Sequence, residues 1–215
     1  MSKTAVILPG QGAQVVGMGK DFVDSFPTAR SVFDRANHVL GFDLAKLCFE
    51  GPTERLNATD ISQPAILVTS VAIWHAMKST GLADELAPAA MAGLSLGEYT
   101  ALHLAGWIEF DDALRLVYKR GQLMQAAADS SSGSMVSIMG LSPEKTEELC
   151  REAAGGEVLA SSNFNCPGQI VISGAKTACD RAVSLADRYG CRATALAVAG
   201  AFHSDLMSPA EEGLA

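Results

Sequence analysis

The chain has no run approaching the ~18 consecutive apolar residues that a membrane span requires, and no excess of positive charge. Lysine and arginine number 16 against 24 aspartates and glutamates, a net charge of −8, so a phosphate backbone is an unfavourable partner and nucleic acid is not expected. Five cysteines (Cys48, Cys150, Cys166, Cys179, Cys191) form no Cys-x-x-Cys pair and no cysteine/histidine cluster with ligand spacing. That argues against a zinc site and for scattered reduced thiols. Met1-Ser2-Lys3-Thr4 leads directly into a short apolar run, without the anatomy of a signal peptide. The expectation is a cytoplasmic protein with no metal and no membrane span. No internal repeat or low-complexity tract is visible. What is present is 215 residues with 48% hydrophobic content, enough for one substantial core or one domain with a smaller companion.

Residues 93–97 read Gly-Leu-Ser-Leu-Gly, where an apolar run gives way to a helical pattern. Ala89-Ala90-Met91-Ala92 is short, uncharged and bounded upstream by Pro88, as a buried strand would be. Glu98-Tyr99-Thr100-Ala101-Leu102 has helix formers and an acid where a helix N-terminus favours one. A Gly-x-Ser-x-Gly on a strand-to-helix turn is the pattern of a nucleophile elbow. Glycines allow the sharp turn that lifts the Ser95 hydroxyl off the sheet, and the helix N-terminus offers backbone N–H groups to an oxyanion. The bland alternative is a plain tight turn in a chain rich in small residues.

Strand and helix signals alternate up to about residue 127. Ala5-Val6-Ile7-Leu8 reads as a buried first strand, with Pro9 to Gln14 as the loop at its C-terminal end. Helical patterns follow at 28–40 and 63–78, the second with Pro64 at its start. Then come a strand at 89–92 and helices near 97–105 and 111–127. This order predicts a parallel α/β sheet with functional loops at strand C-termini, where Gln11 and Ser95 would lie together. After Ser130-Ser131-Ser132-Gly133 the texture changes. A strand at 134–139 and a helix opened by Ser142-Pro143-Glu144 come first. Strands at 158–163 and 169–173 follow, joined by Asn165-Cys166-Pro167-Gly168, then a helix at 175–189 and a strand at 192–198. That order, β-α-β-β-α-β, is the ferredoxin-like split unit. The predicted division is a core over 1–130 that returns at 199–215, and a small subdomain over 131–198. Ser208-Pro209-Ala210-Glu211 reads as a capped helix start, so the sequence is expected to end within an element.

A serine nucleophile needs a base. His103 lies eight residues beyond Ser95 on the same predicted helix, about 12 Å along the axis, too far to reach back. His38 and His75 fall inside helical patterns away from strand ends. His203 follows Gly200-Ala201-Phe202 in a loop at an element boundary, where catalytic residues gather, and is the favoured base. Arg120 shares a helical stripe with Ala113, Val117 and Met124 that should face the core, whereas Arg115, Lys119 and Gln122 fall on a solvated face. A guanidinium there must find an anion or a set of acceptors. Pattern leaves two choices open, a structural salt bridge or a carboxylate-bearing substrate held bidentately. The glycine-rich loop at 10–19 is no nucleotide site, since Val15 stands where the dinucleotide fingerprint needs glycine and Met18 where a phosphate loop needs lysine. Gln11 remains as a group that could serve the same centre as Ser95.

Taken together, these residues resemble the malonyl-CoA:acyl carrier protein transacylases of fatty acid synthesis. The matching segments are Pro9-Gly10-Gln11-Gly12-Ala13-Gln14, Gln63-Pro64-Ala65, the Gly93 to Tyr99 elbow, Arg120-Gly121-Gln122-Leu123-Met124-Gln125, Asn163-Phe164-Asn165-x-Pro167-Gly168-Gln169 and Gly200-Ala201-Phe202-His203-Ser204. The resemblance implies a hydrolase-like parallel-sheet core with an inserted ferredoxin-like subdomain. It implies a ping-pong transfer in which Ser95 attacks malonyl-CoA, His203 takes the proton, and the backbone at Leu96 and Gln11 holds the oxyanion. Arg120 would pair with the malonyl carboxylate, Met124 and Phe202 would line the acyl pocket, and an acyl carrier protein's phosphopantetheine thiol would accept the group. No cofactor is implied. Two departures stand out: Leu94 where the family usually has histidine, and a family length that continues beyond residue 215. The alternatives are a serine esterase, which has no need of Arg120, and an inactive fragment. The acidic balance requires a local basic patch for an acidic carrier protein, for which Lys176, Arg181, Arg188 and Arg192 are the expected residues.

Overall fold

The computed structural model describes residues 3–215, which divide into two units, one ending at Gln122 and the other running from Leu123 to Ala215. In the first, β1 (Ala5–Leu8) is followed by six helices: α1 (Lys20–Ser25), α2 (Pro27–Leu40), α3 (Leu44–Glu50), α4 (Thr53–Asn57), α5 (Thr59–Ser79) and α6 (Leu82–Leu86). Then comes β2 (Ala90–Gly93), which pairs with β1 in parallel, Leu8 opposite Gly93. Parallel pairing forces such a long crossover. It also brings the C-terminal ends of both strands side by side. The helix α7 (Leu96–Leu104) leaves β2 after two residues, and α8 (Phe110–Asp129) carries the chain into the second unit.

The core of the first unit is built around α5. Ile61, Ala65, Leu67, Val68 and Val71 pack with Phe33 of α2, Leu96 of α7 and Leu114 and Val117 of α8. Being apolar on nearly every side, α5 can only be a buried helix. It begins four residues before the expected start at 63. The N–H groups of Ile61 and Ser62 already bond to the Ala58 carbonyl, so Pro64 sits inside the helix. There it withholds one hydrogen bond, from the Asp60 carbonyl. The glycine at 121 lets α8 press against this same turn, since a Cβ on Gly121 would lie 2.7 Å from the Thr59 carbonyl oxygen.

The second unit contains β3 (Gly133–Met139), α9 (Pro143–Ala154), β4 (Leu159–Cys166), β5 (Gln169–Ala175), α10 (Lys176–Tyr189) and β6 (Arg192–Ala195). The four strands form one antiparallel sheet in the order β4-β5-β3-β6, which is the ferredoxin-like arrangement. One face packs Val136, Ile138 and Ile172 against Leu149, Cys179 and Ala182 of the two helices. The other meets Met124, Ala128, Phe202, Met207 and Ala210. As expected, Ser142 caps α9 by accepting from the Lys145 N–H. Several boundaries differ from expectation. The strand β4 runs through Asn165 and Cys166 by way of two irregularities in its pairing, leaving Pro167 and Gly168 as the turn. The strand β6 stops at Ala195 because Val198 turns back to bond the Leu196 carbonyl. In α11 (Ser208–Leu214), Ser208 is the first helical residue rather than the cap, its hydroxyl donating to the Asp205 carbonyl. The chain is therefore α/β, a parallel-sheet core with a ferredoxin-like subdomain.

Candidate active site

The turn between β2 and α7 is held at a strained backbone angle. Ser95 has φ 54° and ψ −106°, in a region that side chains other than glycine rarely adopt. Its neighbours explain how the strain persists. A Cβ on Gly93 would fall 2.1 Å from the Gly97 carbonyl carbon, and one on Gly97 would fall 2.4 Å from the Leu8 carbonyl oxygen. Both are impossible contacts, so helix and strands interlock only because these residues are glycine. One strand over, a Cβ on Gly10 would lie 2.7 Å from the Leu94 carbonyl oxygen, which brings the Gln11 loop against the elbow. Leu96 is wholly buried as the first residue of α7, and its N–H precedes the intrahelical ladder. The Gln11 loop is tied down by Gln14, which accepts from the Gly12 N–H at 2.8 Å and donates to Asn57 at 2.9 Å.

Arg120 comes to Ser95 from α8. The expected stripe is present: Ala113, Val117 and Met124 are buried and Arg120 half-buried, while Arg115, Lys119 and Gln122 are exposed. Its Nη2 donates to Ser95 Oγ at 2.9 Å and its Nη1 to Gln63 Oε1 at 2.7 Å. The guanidinium carbon lies 5.4 Å from the centre of the Tyr99 ring. Burial pulls Arg120 below the usual guanidinium range, and Tyr99 and Glu98 act in the opposite direction. Among the described residues, none of the ion pairs uses Arg120. The structural salt bridge left open by the sequence is therefore not what holds it. Gln63 and Tyr99 are the residues that sequence reasoning left without a role. The signal was a buried-helix glutamine inside Gln63-Pro64-Ala65, but its partner lies 57 positions away.

The remaining residues fall in two places. Leu94, in the elbow itself, is 53% exposed. His103 is turned aside, its Nδ1 3.0 Å from the Ile108 carbonyl and its ring packed near Phe110. In the second unit, Phe202 is buried in one cluster with Met124 and Met207. The segment before His203 is tightly seated, since a Cβ on Gly200 would meet the Ala128 side chain at 2.6 Å and one on Gly133 the Ala201 N at 2.6 Å. His203 is exposed and has φ 58°. With Ala87, Ser95 and His203 are the non-glycine residues described at positive φ. Three of the four expected docking cations are spent on neighbours: Lys176 on Asp180, Arg181 on Glu157 and Arg188 on Glu152. Among the described residues there is no group of three or more histidine, cysteine or acidic side chains able to hold a metal, and no helix long and apolar enough to cross a membrane.

Residues 6–215 match the acyl transferase domain family. The malonyl CoA-acyl carrier protein transacylase of Haemophilus influenzae is 46% identical over 216 aligned positions, covering all of this chain and 69% of that protein. A crystal structure of an acyl carrier protein S-malonyltransferase from Vibrio cholerae superposes with a TM-score of 0.92 at 46% identity, over 99% of this chain and 69% of its own. A malonyl-transacylase in complex with a type II PKS acyl-carrier protein gives 0.93 at 45% identity, over 99% and 68%. With an interlocked serine elbow, a half-buried arginine against it and sequence likeness along its whole length, the chain belongs to the acyltransferase family of the malonyl-CoA:acyl carrier protein transacylases.

Proposed function

We propose that the protein transfers the malonyl group of malonyl-CoA to the phosphopantetheine thiol of an acyl carrier protein in fatty acid biosynthesis, through an acyl-enzyme on Ser95. The observation that carries this is the Arg120 guanidinium, held 2.9 Å from Ser95 Oγ with no ion pair to a carboxylate among the described residues. A malonyl thioester presents a carboxylate two bonds from the carbonyl that Ser95 attacks. One substrate can therefore satisfy both residues at once, with bidentate pairing at the arginine.

In this mechanism Ser95 Oγ adds to the thioester carbonyl while the His203 imidazole takes its proton. The N–H groups of Leu96 and Gln11 receive the charge that develops on oxygen. Collapse expels coenzyme A, whose sulfur takes the proton back from His203. The pantetheine thiol then repeats the sequence in reverse, leaving Ser95 free. Strain at both Ser95 and His203 supports this pairing of roles, because such backbone outliers gather at active sites. Phe202 and Met124 would bound the acyl pocket, the ring leaving little room for a branched acyl unit. Both thiol carriers are substrates, so no cofactor is required. The five free cysteines suit a reducing, cytoplasmic setting. The core would span 1–130 and 199–215 and the small subdomain 131–198, a division supported by the confinement of the antiparallel sheet to Gly133–Ala195.

Intact mass after incubation with malonyl-CoA tests the proposal. A single malonyl adduct is expected, absent in Ser95→Ala. Rapid loss of that adduct to water, with no transfer to a carrier thiol, would instead make the protein an esterase.

A further inference from the structure

The Arg120 guanidinium is held by a neutral amide at a point where a buried cation ordinarily has a carboxylate. Gln63 is wholly buried on α5, and its Oε1 accepts from Arg120 Nη1 at 2.7 Å. The reach is set by backbone: Gly121, adjacent to Arg120, lets α8 lie directly on the first turn of α5. The Tyr99 ring, 5.4 Å away, supplies a π face and no formal charge. Glu98 attracts the guanidinium from a distance but forms no ion pair with it. An amide oxygen aligns a guanidinium without cancelling its charge, whereas a carboxylate of the same shape would close an internal ion pair.

We infer that Gln63 is a positioning residue that sets acyl selectivity: it fixes Arg120 as an uncompensated cation, so that the charge is left for the carboxylate of a carboxyacyl thioester. Selectivity then resides in a pair of residues, and the amide is the half that keeps the arginine's charge available. This rests on the roles proposed above for Ser95 and Arg120.

The test compares acylation of the full chain by malonyl-CoA and acetyl-CoA for wild type, Gln63→Glu, Gln63→Met and Arg120→Ala, with thermal unfolding of each. Gln63→Glu keeps the shape and adds the competing charge. It should raise KM for malonyl-CoA and lower the malonyl-to-acetyl ratio of kcat/KM by ~10- to 100-fold, the weight of charge-assisted hydrogen bonds, without lowering Tm. Gln63→Met removes the acceptor but leaves the charge, and should lower the ratio by a smaller factor of ~3- to 10-fold. An unchanged ratio in Gln63→Glu, or equal losses for both substrates, would overturn the inference. Should Gln63→Glu fail to fold, equal losses in Gln63→Met would overturn it as well. An Arg120→Ala variant that keeps the wild-type ratio would instead overturn the proposed role of Arg120 itself.

Discussion

Arg120 and Arg181 make opposite use of the same side chain. In the ferredoxin-like unit, Arg181 donates to the Ala153 and Ala154 carbonyls at the end of α9 and pairs with Glu157. It closes a helix end and has its charge matched. In the unit that carries the elbow, Arg120 has a neutral amide, a hydroxyl and a ring. Its surroundings follow the same division. Around Arg181 an exposed ion pair holds the surface, a contact that solvent screens. Around Arg120 the backbone is strained and the glycines allow no side chain at all. The matched charge of Arg181 serves the fold, whereas the role proposed for Arg120 is to meet the carboxylate of a substrate.

The sharpest way to break this contrast is at the proposed nucleophile. Ser95→Ala should abolish the covalent malonyl adduct seen by intact mass, and His203→Ala should slow its formation by ~10²-fold or more, the usual worth of a general base. Next come the glycines. Gly97→Ala drives a methyl into the Leu8 carbonyl and should cost roughly 3 kcal/mol or more, as overpacking against backbone does. Gly155→Ala, at φ 56° beside the flexible end of Arg181, should cost only about 1 kcal/mol; chemical denaturation of both variants compares them. Third, Arg120→Ala should cost malonyl-CoA about 1.5–3 kcal/mol more than acetyl-CoA, and Arg120→Lys should restore only part of it. Arg181→Ala should lower Tm and leave that substrate preference as it was. Equal selectivity losses from both arginines would erase the distinction between them. The smallest effect concerns pH. The Thr177 hydroxyl and the Arg181 guanidinium hold the Glu157 carboxyl below its ordinary range. A depressed carboxylate stabilises the fold above its unfolded pKa and loses that contribution as pH falls through the folded value. Tm should therefore fall on acidification below about pH 4.5, and Glu157→Gln should flatten that limb.

Much of this was legible along the chain, where local signals are strong. The run Ala5–Leu8, the Ser142 cap and the β-α-β-β-α-β order each announce themselves within a few residues. The helices α1, α3, α4 and α6 span only 5–7 residues, too few for a 3.6-residue period to stand out. Pro64 misled because it usually marks a helix start, and here tertiary burial of α5 outweighs one lost hydrogen bond. At the site, Ser95 and Arg120 could be singled out by motif and by stripe. What the stripe faced could not. That Arg120 meets an amide rather than an acid depends on the approach of α8 to α5, which rests on the absence of one methyl at Gly121.

The backbone of Ser95 has one more consequence. The angles it adopts are those in which glycine is at ease, so at position 95 the residue best for folding and the nucleophile proposed for the chemistry differ. A search for heat-resistant variants that ignored turnover would drift toward glycine there and recover a sturdier protein without the proposed nucleophile. Ancestral or consensus stabilisation of this chain must therefore exempt the elbow and reinforce it from outside.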